Sequence, residues 1–127
     1  MSKKILVVED TEDNRQILRD LLGMAGYEMV EAHDGAQGVA MAAEHRPDLI
    51  LMDIQMPVLD GYEATRRIKA DPALAAIPIV AVTSYALSGD EAKTRAAGCD
   101  DYIAKPYSPR QMLAKVRSII GPGEPED

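Results

Sequence analysis

Leu49-Ile50-Leu51-Met52-Asp53 sets four consecutive apolar side chains ahead of a carboxylate, and the fold is read outward from this stretch. A strand with one wetted face alternates apolar and polar residues. An unbroken run is expected where both faces of a parallel sheet are covered. Residues 5–8 (Ile-Leu-Val-Val) and 77–82 (Ile-Pro-Ile-Val-Ala-Val) have the same character. Two weaker candidates, Glu28–Ala32 and Asp101–Ala104, complete a set of five strands. Between them lie helical spacings: Ile17, Leu18, Leu21 and Leu22 in the first, and Met112, Leu113, Val116, Ile119 and Ile120 in the last.

The punctuation agrees with this pattern. Asp34, Asp60, Ser88 and Ser108 can each satisfy free N–H groups of a first helical turn, and each is followed three residues later by Glu or Gln. Pro109 suits a first helical position. Gly26, Pro47, Pro72, Gly98 and Gly121 stop or follow helices. Five strands alternating with five helices imply an α/β, doubly wound parallel sheet, whose right-handed crossovers place any site at the carboxyl ends of the strands. One domain is expected over residues 1–121. Residues 122–127, Pro-Gly-Glu-Pro-Glu-Asp, have nothing apolar to bury and read as an acidic, disordered tail.

A chain of 127 residues, 46% hydrophobic, can bury one core without staples, and a single cysteine, Cys99, leaves no internal disulfide. No stretch reads as a signal peptide or membrane span, which places the protein in the cytoplasm. A net charge of −7 with no basic segment argues against direct DNA binding. The seven methionines read as gap fillers and Cys99 as a small buried residue. His33 and His45 are not needed for the site.

The chemistry is expected where the strands end. Glu9 and Asp10 follow the first apolar run, Asp53 ends the third, Thr83 the fourth, and Lys105 follows the fifth. Taken singly, an Asp there is a cap or turn residue, Thr83 a residue with β preference, and Lys105-Pro106 a turn. Their convergence on one edge reverses that reading. Three neighbouring carboxylates repel unless a proton or cation is shared, and Mg²⁺ suits an all-oxygen site that leaves room for water and phosphate. No Cys and His cluster favours zinc. A carboxylate can attack phosphorus, so Asp53 is the candidate nucleophile. Three carboxylates, an ammonium and Mg²⁺ sum to zero charge, whereas a dianionic phosphoester on Asp53 leaves the site one unit negative. A hydroxyl from Thr83 and the Lys105 ammonium are placed to answer it.

Val7-Val8-Glu9-Asp10, residues 51–57 (Leu-Met-Asp-Ile-Gln-Met-Pro), Asp60-Gly61, Val82-Thr83-Ser84 and Lys105-Pro106 together resemble response-regulator receiver domains of two-component signalling, in order and spacing. Within them, the chain looks most like single-domain regulators of the alphaproteobacterial cell-division type. The resemblance implies a flavodoxin-like sheet of strand order 2-1-3-4-5. It also implies Asp10 and Asp53 as direct Mg²⁺ ligands, Glu9 through water and Gln55 through its backbone carbonyl. It further implies a cis bond before Pro106, and Tyr102 as a switch aromatic that turns inward when Thr83 moves.

The expected function is a phosphoacceptor switch in a phosphorelay. Asp53 takes a phosphoryl group from a sensor histidine kinase or a histidine phosphotransfer protein. With no output domain in the chain, the signal is expected to pass to a downstream protein, and the resemblance implies that it does so through the fourth helix, fifth strand and fifth helix, roughly residues 87–120. The fourth helix, poor in large apolar residues, suits a moving element. The chain is then no enzyme beyond its own phosphorylation from small donors and its own dephosphorylation, at rates that vary with Gln55 and Tyr85. A phosphatase of haloacid-dehalogenase type is the enzymatic alternative, but its second Asp is replaced by Gln55, an amide that cannot relay a proton. A flavodoxin-like cofactor binder is opposed by an acidic first loop, residues 10–14, that has no Ser or Gly and only Thr11 as a hydroxyl donor to cradle a phosphate. A binding module that works without phosphorylation is the third alternative.

Overall fold

The computed structural model describes residues 3–56, 59–83 and 90–123. Ten elements alternate in chain order: β1 (Lys4–Val8), α1 (Glu12–Met24), β2 (Glu28–Ala32), α2 (Gly35–His45), β3 (Leu49–Asp53), α3 (Gly61–Ala70), β4 (Ile79–Thr83), α4 (Asp90–Ala97), β5 (Asp101–Ala104) and α5 (Pro109–Ile120). The five strands form one parallel sheet in the order β2-β1-β3-β4-β5. Ser84, Tyr85 and Leu87, the cap expected at Ser88, and residues 124–127 of the expected tail lie outside the described residues.

The pleat sorts the apolar runs into two cores. Ile5, Val7, Leu49, Leu51, Val80, Val82 and Ile103 face α1 and α5, where Leu18, Leu22, Met112 and Val116 are buried against them. Leu6, Val8, Ile50, Met52, Ile79 and Ala81 face the other way, toward Ala42 of α2 and Ala64 and Ile68 of α3. Both faces are covered, which is why these strands carry no polar alternation. β4 begins at Ile79, two residues later than its apolar run. On α1 the buried stripe is narrower than its apolar content: Ile17, grouped with the apolar face, is 57% exposed. Met24 is 88% exposed and fills no gap. Among the described residues no helix is long and apolar enough to cross a membrane.

Three of the four expected caps are formed. Asp34, Asp60 and Ser108 accept from the backbone N–H of Gln37, Glu63 and Gln111. Of these three, Ser108 alone has a complete capping box. The Gln37 side chain instead accepts from His33 N (2.7 Å), and Glu63 pairs with Arg66 and Arg67. At the far end of the sheet, Tyr27 Oη donates to Gly121 O at 2.6 Å and Lys3 Nζ to Ile120 O, so α5 is fastened where it ends.

A second fastening is not local in sequence. Lys69 Nζ donates to Ala75 O (3.0 Å), Ile77 O (2.8 Å) and Asp100 Oδ2 (2.9 Å), and the same Asp100 oxygen accepts from Ile79 N (2.8 Å). One ammonium thereby joins α3, the entry to β4 and the turn between α4 and β5. Lys69→Met keeps the aliphatic stem but leaves these acceptors without their charged donor. It is expected to cost about 2 kcal/mol in urea unfolding, with an unchanged slope.

On the other edge, Arg19 grips Glu31 of β2 in a two-pronged pair (Nε to Oε2 2.8 Å, Nη2 to Oε1 2.6 Å). The Arg19 hydrogen bond holds the Glu31 carboxyl below its ordinary 4.5. A depressed carboxyl stabilises the fold above its unfolded pKa, and the contribution is lost as pH falls through the folded value. Arg19→Ala should therefore lower stability near neutral pH and flatten the loss of stability below pH 4.5, as read from denaturant midpoints across that range.

Candidate functional site

Register brings the strand ends together. Val8 pairs with Met52 and Asp53 with Val82, so Glu9, one step beyond Val8, comes level with Asp53. Thr83 pairs with Ala104, and Lys105 N continues the ladder by donating to Thr83 O at 2.8 Å. The pleat then divides these residues by side. Glu9 continues the series Ile5, Val7; Asp53 continues Leu49, Leu51; and Lys105 follows Ile103, all directed toward the α1 and α5 layer. Thr83 continues Ile79 and Ala81 on the opposite face, where Tyr102 also packs.

Glu9 and Asp53 are 5% and 4% exposed, while Asp10 faces solvent. Carboxylate oxygens of all three lie within 4.8 Å of one another, the one such acidic group among the described residues. Lys105 Nζ stands 3.3 Å from Asp53 Oδ2 and 3.6 Å from Glu9 Oε1. The Asp53 Oδ1 atom accepts from Gln55 N at 3.0 Å. A hydrogen bond with Glu9, then burial, then the Glu9 charge push the Asp10 carboxyl above its ordinary value. The crowding of like charge is therefore felt at the exposed member of the cluster. Thr83 is 1% exposed, at the end of the strand beside Asp53. The Lys105-Pro106 peptide bond is cis.

Three residues that the sequence did not single out join the site. Asn14 Nδ2 donates to Glu9 Oε1 (3.1 Å), and Arg15 Nη1 donates to the Glu9 carbonyl (2.8 Å). Tyr107 lies over the cluster, its phenol pushed up by burial and then by the charges of Glu9 and Asp53. With Glu9, Ile17, Lys105 and Pro106, Asn14 and Tyr107 line a cleft of about 640 Å³. Asn14 and Arg15 fall within the first turns of α1, so a reading that placed that helix's N-terminus beside Glu9 could have found them. Tyr107 gave no signal of its own. His33 and His45 lie outside the cluster, His33 beside Asp34 (3.7 Å) and His45 at the end of α2. Cys99 is buried, its Sγ donating to Thr65 Oγ1 at 3.7 Å.

The donor set is oxygen-only and acidic, with one member open to water. This is the chemistry of a hard divalent cation that keeps part of its hydration shell, and not of zinc. Beside it stand a buried carboxylate, a neighbouring ammonium and a buried strand-end hydroxyl, those of Asp53, Lys105 and Thr83. The family model for the response regulator receiver domain matches residues 5–117.

The chain belongs to the receiver domain family of two-component response regulators.

It is 44% identical over 121 residues to the polar-differentiation response regulator DivK of Brucella anthropi, and 43% identical to that of Brucella ovis; each match covers 95% of this chain and 98% of the relative. Among solved structures it resembles the receiver domain of a sensor histidine kinase from Pseudomonas aeruginosa, which holds a magnesium ion in its active-site cleft. That match has a TM-score of 0.88 at 40% identity, covering 95% of this chain and 99% of that one. A chemotaxis response regulator of Vibrio cholerae superposes with a TM-score of 0.89 at 28% identity, covering 94% and 99%. The strand order is that of these receiver domains, as the sequence resemblance implied.

Gly61 packs α3 directly beneath the proposed nucleophile. A Cβ there would lie 2.4 Å from Asp53 O and 2.7 Å from Ile54 Cα. Both are backbone atoms, which cannot rotate away. Gly61→Ala is therefore expected to cost about 2 kcal/mol in urea unfolding through forced displacement of the strand end. It should also slow any chemistry at Asp53, whereas Gly23→Ala, with nothing within 4 Å, should do neither.

Proposed function

We propose that the protein is a phosphoacceptor switch of a two-component phosphorelay, with Asp53 as the acceptor. The observation that carries this reading is the buried Asp53 carboxylate, 3.3 Å from Lys105 and clustered with Glu9 and Asp10 at the end of the central strand. In the step proposed, an Asp53 carboxylate oxygen attacks the phosphorus of a phosphohistidine on a sensor kinase or phosphotransfer protein. The P–O bond forms as the P–N bond breaks, and the imidazole nitrogen leaves with the electron pair.

Lys105 now shares its charge between Asp53 and Glu9, and would follow a phosphoryl oxygen as negative charge arrives on Asp53. Thr83 would donate its hydroxyl to another oxygen. Mg²⁺, held by Asp10, Asp53, the Gln55 carbonyl and, through water, Glu9, would neutralise charge on the transferring group. Gln55 in place of a second acid favours a phosphoacceptor over an enzyme that turns over external phosphoesters.

The output is proposed to leave through α4, β5 and α5 toward a downstream protein. Tyr102 is part-buried on the same side of the sheet as Thr83 and also lines a groove of about 750 Å³ with Arg95, Gln111 and Lys115. That placement supports its role as the aromatic that turns inward when Thr83 moves. α4 buries only Thr94 and Ala97 among its described side chains, which supports its role as the element that shifts. The cytoplasm, where kinase and phosphodonors meet, is the proposed location.

Intact-mass measurement after incubation with acetyl phosphate and Mg²⁺ tests the reading. The parent protein should gain one phosphoryl group and Asp53→Ala none. An unchanged parent mass would sink the proposal, and equal labelling of both proteins would move the acceptor elsewhere.

A further inference from the structure

Glu9 is the more demanding of the two buried acids, because its carboxylate must stay turned into the site while its neighbours change partners. Its Oε2 accepts from the backbone N–H of Thr11 at 3.1 Å, a bond fixed by the chain itself. Its Oε1 has two side-chain neighbours: the Asn14 amide at 3.1 Å and the Lys105 ammonium at 3.6 Å. The ammonium is shared with Asp53 Oδ2 at 3.3 Å and is committed to the reacting group. Asn14 is committed to Glu9. It sits one turn into α1, part-buried, on the wall of the cleft that also exposes Lys105.

We infer that Asn14 is a positioning residue for the cation site, holding Glu9 Oε1 in the acidic cluster whether or not Lys105 is engaged there. The inference rests on the reading of the cluster as a Mg²⁺ site. An amide suits the task better than a second cation: it donates one directed hydrogen bond without neutralising Glu9, so the full carboxylate charge remains available to the metal's hydration shell. A lysine or arginine in its place would compete with the metal. An apolar residue would leave Oε1 to Lys105 alone, drawing the ammonium away from Asp53. Groups hydrogen-bonded to a direct metal ligand change metal affinity by roughly 10–100-fold when removed, and Asn14, which steadies a carboxylate that meets the ion through water, is placed at the low end of that range.

The test uses the full chain and Mg²⁺ itself. Calorimetric titration of MgCl₂ into the unphosphorylated protein is compared for the parent, Asn14→Leu, which keeps the volume and removes the donor, and Asn14→Gln, which keeps the amide. Asn14→Leu should bind Mg²⁺ roughly tenfold more weakly, and Asn14→Gln should recover part of the loss. In labelling by acetyl phosphate, Asn14→Leu should raise the Mg²⁺ concentration needed for half-maximal rate by a similar factor. A purely structural role would lower thermal stability in all conditions and leave both Mg²⁺ dependences in place. Leu and Gln substitutions that bind Mg²⁺ within twofold of the parent would overturn the inference while leaving the metal reading intact. A parent protein that binds no Mg²⁺ would bring down the metal reading, and this inference with it.

Discussion

Three carboxylates crowded within 4.8 Å set the terms for the rest of the structure. At separations near 4 Å, like charges at a protein surface repel by about 4 kcal/mol per pair, a sum no small domain can carry without compensation. Lys105 supplies part of it, standing between Asp53 and Glu9, and backbone donors supply more: Thr11 N to Glu9 and Gln55 N to Asp53. Asp10, the member closest to water, is pushed above its ordinary value by its hydrogen bond with Glu9, then by burial and then by the Glu9 charge. A site so balanced is poised, because any charge added at Asp53 must be answered by movement of a cation or a donor. The sheet has to deliver four separate chain segments to one edge for this to happen, and the parallel register does so.

The pleat does a second job by separating charged members of the cluster from Thr83 and Tyr102. Glu9, Asp53 and Lys105 fall on the α1 and α5 side, in step with the apolar residues two positions before them. Thr83 and Tyr102 fall on the side of α2 and α3. Thr83 nonetheless lies close to Asp53 in the sheet, because β4 pairs with β3 and carries it one step beyond Val82, the partner of Asp53. The division follows from the two-residue period of a strand, and so from the sequence numbers themselves.

That period explains what was legible in advance. Unbroken apolar runs marked β1, β3 and β4 because the strands are covered on both faces, and the polar residue ending each run marked the site. Caps were legible at Asp34, Asp60 and Ser108 because the signal is local. Asn14, Arg15 and Tyr107 were not, since their meaning depends on how α1 and the segment after Lys105 are rotated toward the cluster. Arg15 reaches a backbone carbonyl, an acceptor every residue possesses and no residue type announces. Lys69 escaped for the same reason: two of its three acceptors are carbonyls in the segment before β4. Ile17 marks the limit of helical periodicity, one position before buried Leu18 yet turned about 100° away from it.

α2 and α4 both bury small side chains, yet they are held differently. α2 turns Gly38 against Val8, so close that a Cβ would come within 2.9 Å of the valine side chain, and Val39 and Met41 pack around the contact. Gly38 therefore brings the helix backbone onto the sheet, while Gly35 lies against the Leu59 backbone, and both contacts are tight. The described part of α4 offers Thr94 and Ala97 and no larger apolar group, so the area it removes from water is small. What fastens it is its carboxyl end, where Cys99 is buried and Asp100 is tied to Lys69 and to Ile79 N. The described face of α4 thus contributes little apolar burial, and the turn that follows it supplies a fixed anchor. The acidic cluster is thus held by strand register, and the helix with the smallest buried face joins the same sheet through β5.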